Sequence, residues 1–157
     1  MFGRYYSGSV VPMKDLPVGI ARWVMGLSAA VHGRFMAEFG IESVQGSPFL
    51  TGWLRSSVNT SFGSAEFVDL GPSVAYPAPT AAHFAEKSKA ADGIKPGYLT
   101  LGAPHSWMID SGRQPYVTRK GMSGSEQART GVTTPAAHRA MARTEASAAQ
   151  IEAGLLR

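Results

Sequence analysis

Ile20, Val24, Leu27, Val31 and Phe35 follow one another at steps of four, three, four and four, which sets them on one face of an α-helix. Trp23, Ala30 and Phe39 widen that apolar stripe, while Arg22, Ser28 and Arg34 fall largely elsewhere. Asp15 is a natural N-cap and Pro17 suits the first turn. Gly40 has the backbone freedom wanted just past a helix end, so the pattern predicts a helix over residues 16–39. Residues 1–14 hold Gly, Ser and paired tyrosines without a sustained period. They read as an extended arm that orders when it docks.

Beyond that helix the period changes. Thr51-Gly52 marks a tight bend after an apolar run, and Leu54, Val58 and Thr60 among polar neighbours predict a half-buried strand over residues 54–62. Gly63-Ser64 then separates it from a second strand over 65–70, which predicts a β-hairpin. Pro72, Pro77 and Pro79 exclude residues 71–79 from a central strand or a helix interior. Thr80 reads as the cap of a short helix over 80–91, with Gly93 past its end. Residues 98–101 and 106–109 predict two further short strands, separated by Gly102-Ala103-Pro104. Residues 113–133 are rich in Gly, Ser and charge and predict a long mobile loop.

Thr134-Pro135 opens the final helix with a capping residue followed by proline. Ala137, Met141, Ala148, Ile151 and Leu155 line one face of it, with Ala136, Ala140, Ala142, Ala146 and Ala149 around them. Alanines let another helix approach closely but bury little area each, so this helix gains its stability from packing. The elements together predict an α+β fold: a small antiparallel β-sheet packed against a long N-terminal helix and a C-terminal helix.

At 157 residues the chain fits one domain with a sizeable core. No cysteine is present, which suits a reducing compartment and excludes disulfides and thiol chemistry. The opening Met1-Phe2-Gly3-Arg4-Tyr5-Tyr6 lacks the continuous apolar core of a signal peptide. Every apolar run is broken by Gly, Arg, Ser or His, so no membrane span is expected. The net charge is +4 and is unevenly distributed. Arg113, Arg119, Lys120, Arg129, Arg139 and Arg143 stand against Glu126 alone, six cations and one acid, so residues 113–143 carry +5. Such a run reads either as a solvated face or as a basic surface that meets a polyanion.

Catalytic patterns are thin. Four histidines are present, and His83 with Glu86 shares a helical face, but no third ligand follows and no H-E-x-x-H pattern exists. His32 reads as a helix-surface or subunit-contact residue, His105 as part of a turn, and His138 as solvated surface. Neither Ser7-Gly8-Ser9 nor Gly124-Ser125 forms a nucleophile elbow. The loop after Lys120 lacks P-loop spacing, and Asp15, Asp69, Asp92 and Asp110 are not paired with other acids as glycoside hydrolysis requires. No cofactor and no metal are expected, and a non-enzymatic role follows. The aromatics stand out instead. Trp53, Trp107 and Tyr116 read as core filling, or, if exposed, as a subunit interface, where aromatics and Arg are enriched.

Thr51-Gly52-Trp53-Leu54-Arg55-Ser56-Ser57, written T-G-x-L-R-x-S and placed after a long amphipathic helix, resembles the start of the first strand in tailed-bacteriophage neck and tail-completion proteins. His105-Ser106-Trp107-Met108-Ile109-Asp110-Ser111-Gly112 stands where that family writes an aromatic strand ending in an acid and Gly, though Glu is more usual there than Asp110-Ser111. The resemblance covers most of residues 16–157. It implies a structural virion protein in which six copies form a ring at the head–tail joint, through which the genome passes. The implied partners are further copies of itself, a head-side connector or stopper protein, and a tail terminator or tail tube protein. Genomic DNA would touch it transiently and without sequence preference. On this reading Trp53, Arg55, Trp107 and Tyr116 meet the neighbouring subunit, and Arg113, Arg119, Lys120 and Arg129 line the lumen. Assembly would occur in the host cytoplasm, with no membrane involved. Two rivals come from other classes: a small basic nucleic-acid-binding α+β protein, and a small hydrolase.

Overall fold

The computed structural model describes residues 18–48, 52–71, 77–111, 116–118, 121–123 and 130–155. Its elements, in chain order, are α1 (Val18–Gly46), α2 (Trp53–Ser56), β1 (Val58–Phe62), α3 (Ala81–Ser88), β2 (Gly97–Leu101), α4 (Ser106–Asp110), β3 (Tyr116–Thr118), β4 (Gly121–Ser123), α5 (Thr133–Ala146) and α6 (Ala148–Leu155). The fold is α+β: a small antiparallel sheet packs against a long N-terminal helix, with C-terminal helices on that helix as well.

β1 and β2 pair antiparallel with Val58 opposite Leu101 and Thr60 opposite Leu99. Side chains alternate across a strand, so one face carries Val58, Thr60, Leu99 and Leu101 and the other carries Asn59, Ser61, Tyr98 and Thr100. The first face meets the core. Ala37, Val58 and Phe84 form its buried cluster, and Ile41, Val44, Leu99 and Leu101 pack against it. His32 lies edge-on against Phe62 at a centroid distance of 5.2 Å, so the expected surface or subunit-contact histidine is a half-buried packing residue.

Gly40 overturns the expected helix end. A Cβ built there would stand 2.4 Å from the Phe84 ring, so glycine is needed for the close approach of α3 and not for termination. α1 continues to Gly46 because Ile41 and Val44, beyond Gly40, reach the core. The expected start at residues 15–17 and the arm at 1–14 lie outside the described residues. The expected apolar stripe is only partly covered: Ile20 and Val31 are exposed, and the buried positions are Gly33, Met36, Ala37, Glu38, Gly40, Glu42 and Ser43.

The expected strand start at Leu54 is a helical turn instead. Ser56 N–H bonds to Gly52 O at 2.9 Å, and Ser57 N–H to Trp53 O at 3.1 Å. The Ser56 and Ser57 hydroxyls donate back to Gly52 O and Leu54 O, both at 2.8 Å, which reinforces the turn. The strand proper begins at Val58. Nor does residues 65–70 pair with β1 as a hairpin, because β2 takes that place. Residues 64–66 cross the polar face of the sheet, held by side chains. Asn59 Nδ2 and Thr100 Oγ1 both donate to Glu66 O, and Ser61 Oγ donates to Ser64 O while accepting from Glu66 N. Buried polar groups are thereby satisfied without a third strand.

Two more expectations shift. Residues 106–109, expected as a strand, lie in helix α4, whose first turn is fixed by Ser106 Oγ donating to Leu101 O at 3.0 Å. The expected loop over 113–133 contains β3 and β4, paired antiparallel with Thr118 opposite Gly121. The expected α3 is found, with Thr80 Oγ1 accepting from His83 N at 3.3 Å. The final helix starts at Thr133 and divides at Ser147 into α5 and α6. Its buried face is Ala136, Ala140 and Thr144, whereas the expected Met141 and Leu155 are exposed.

Candidate functional site

α2 and the α4 region bring two tryptophans to one side of the molecule. Trp53 is half-buried and meets the His105 ring edge-on at 5.8 Å. Trp107, two residues further on, is 70% exposed. A side chain of that size left open to water is the clearest surface signal among the described residues. Arg55 is half-buried, and its Nε donates to Ser47 O at 2.8 Å. That bond ties α2 to the end of α1, so Arg55 is a structural clamp as well as a candidate contact. Tyr116 lies in β3, and its side chain is outside the described residues. Arg113, Arg119, Lys120 and Arg129 lie outside them too.

Sequence reasoning missed a charge network between α1 and α5, in which buried carboxylates meet half-exposed arginines. Glu38 and Glu42 sit one turn apart on α1 with side chains 7% and 2% exposed. Arg34 reaches Glu38 at 2.6 Å, Arg139 reaches Glu42 at 2.5 Å, and Arg143 reaches the other Glu42 oxygen at 2.7 Å. Arg143 also lies 3.6 Å from Glu38. The detectable signal was the matched spacing: two acids at i and i+4 on one helix, two arginines at i and i+4 on another. Arg139 and Arg143 belong to the basic run that suggested a polyanion surface, and both are engaged with these carboxylates.

Asp110 was read as the end of an aromatic strand. It is a cap delivered from a distance. Its Oδ1 accepts from Val132 N at 3.1 Å and Thr133 N at 2.8 Å, and both carboxylate oxygens accept from Thr133 Oγ1. The orphan donors at the start of α5 are thus satisfied by a residue of α4. Asp92 titrates clearly below its ordinary value. Backbone N–H bonds from Lys95 and then Ile94 hold its carboxyl down at about 2, with the nearby Lys95 ammonium adding to the effect.

The remaining histidines show no convergence. His83 lies on exposed α3 with its ring edge-on to Phe84, and His138 is exposed on α5. Among the described residues no three of His, Cys, Asp or Glu stand together as a metal site. No described helix is long and apolar enough to cross a membrane. Trp107, Phe67 and Ile94 are all open to water.

No protein-family model matches the chain, and neither a curated protein nor a solved structure matches it. The fold therefore defines the class of molecule no more narrowly than an α+β protein built on one long helix.

Proposed function

We propose that this chain is a structural subunit of a tailed-phage particle, one copy of a ring that joins head to tail. The observation that carries the reading is the exposure of Trp107, at 70%. An unburied indole costs hydration free energy that a neighbouring subunit would recover, and aromatic anchors of this kind dominate protein interfaces. Further support comes from the two-stranded sheet β1–β2, which is short enough to need covering by other elements or other copies. The T-G-x-L-R-x-S motif follows the long helix in sequence and Gly52 is left-handed at φ 80°, although the motif forms the turn α2 and the strand that the resemblance implied begins only at Val58.

On this reading the chain works by shape and self-association. Its neighbours are further copies, a head-side connector or stopper, and a tail terminator or tail tube protein, and its location is the neck of the virion. Closing a ring by repeated head-to-tail contacts buries the exposed aromatic on every copy without open-ended growth. Passing DNA would meet phosphate-directed cations only weakly, because the genome must slide. The nucleic-acid-binding rival is weakened by the pairing of Arg139 and Arg143 with Glu42, which leaves fewer cations free for phosphate.

Electron cryo-microscopy of the native particle, with copies counted, tests the proposal. Six copies around the axis at the head–tail joint is the expected result. A chain absent from every particle, or acting alone on a small molecule, overturns it.

A further inference from the structure

The seam between α1 and α5 is made of charge and small residues. α5 places only Ala136, Ala140 and Thr144 in the interior, and α6 buries none of its residues. Such groups remove little apolar area from water. The buried core cluster and the residues packed on it come from α1, α3, β1 and β2, with none from α5 or α6. The α1–α5 contact is the most extensive between any two described elements, but its buried α5 side chains are small, and beside them stand two nearly buried carboxylates, Glu38 and Glu42, held by Arg34, Arg139 and Arg143. Glu42 is the junction of the network, since its two oxygens meet the two arginines of α5 separately.

α5 and α6 are also one mechanical piece. The hydrogen bonds run on across the break: Ser147 N bonds to Arg143 O, and Gln150 N and Ile151 N both bond to Ser147 O. The Ser147 hydroxyl donates to Arg143 O as well, at 2.7 Å, a further tie across the junction. Its base is tethered separately, by Asp110 at Val132 and Thr133.

We infer that α5–α6 is a detachable arm, latched to α1 through Glu42, that opens as one unit while α1, α3 and β1–β2 keep their fold. A carboxylate left buried without its cations is strongly unfavourable, so the closed state depends on the arginines more than on apolar contact. Regions with little buried apolar area are those that open locally below the global unfolding threshold. Opening bares two carboxylates on α1 that the closed form hides and frees the two half-exposed guanidiniums of α5 from them. The inference does not rest on the proposed function.

Hydrogen–deuterium exchange of the full chain tests it, on the wild type and on Glu42→Gln. In the wild type the amides of residues 136–155 are expected to exchange together, at least tenfold faster than those of β1 and β2. Glu42→Gln is expected to speed residues 136–155 by a further tenfold or more and to leave residues 58–62 and 97–101 unchanged. Equal protection of arm and strands in the wild type overturns the inference. So does a Glu42→Gln chain whose arm is unaffected, or one that loses arm and strand protection alike.

Discussion

Asp110 and Thr133 are joined through both carboxylate oxygens, each 2.8 Å from the Thr133 hydroxyl, across 23 residues of sequence. The link fixes where α5 begins. It also explains Gly131, whose φ of +81° and close approach to Asp110 O leave no room for a side chain. Asp110→Ala should cost about 1 kcal/mol of stability, in the range of a lost N-cap. Urea unfolding measures it, and Asp110→Asn, which keeps an accepting oxygen, should lose less.

Gly40→Ala sets two effects against each other. Alanine is the better helix former by about 1 kcal/mol. The added Cβ, however, would stand 2.4 to 2.8 Å from three Phe84 ring atoms in a fully buried site. Overpacking of that kind costs about 1–3 kcal/mol, so the variant should be less stable on balance. A midpoint in urea at or above the wild-type value would show that Phe84 can move aside.

Trp107→Ser separates an interface residue from a folding residue. With the side chain largely in water, the isolated chain should keep its stability to within about 0.5 kcal/mol. Ring assembly, read by electron microscopy of particles carrying the variant, should fail. A variant that unfolds the chain instead would mean that Trp107 supports its own fold.

The Asp92 turn should respond to acid in a defined window. Its folded carboxyl titrates at about 2, below the ordinary 3.8, because the Lys95 and Ile94 amides prefer the charged form. A depressed folded value means the stabilisation is present above pH 3.8 and is lost as pH falls toward 2. Carbon-detected NMR of the Asp92 carboxyl should show that midpoint, with the amide shifts of Ile94 and Lys95 following it. Asp92→Ala should abolish the response at both amides.

Elements whose signals are local were legible in the sequence. α3 follows from Thr80 and the helix formers after it, and β2 from its alternating Tyr98–Leu101 run. Pairing was not legible, because β1 reaches across the intervening α3 to β2 and the nearer residues 65–70 are held by side chains instead. Trp107 and Ile109 suit a strand by propensity, yet a five-residue element is decided by its surroundings: Ser106 Oγ is bound to Leu101 O at its start, Ser111 N–H closes its last turn on Trp107 O, and Asp110 is drawn to the start of α5. Of the candidate site, Trp107 was singled out by its type, with core filling and an exposed interface as the alternatives, and its exposure removes the first. Glu38 and Glu42 were passed over because acids on a helix normally face water, and only the arginines of a distant helix reverse that.

α1 has a further consequence through its length. Its buried residues all lie between Gly33 and Ser43, while Val18–Gly46 as a whole extends about 43 Å at 1.5 Å per residue. The portion before Gly33, about 22 Å long, is held at its flanks, by Leu155 of α6 beside Gly26, by Ser28 Oγ donating to Gly93 O and by His32 edge-on to Phe62. Were those ties released, a tilt of about 10° at Gly33 would carry the tip through about 4 Å, so the three contacts set where the start of α1 stands.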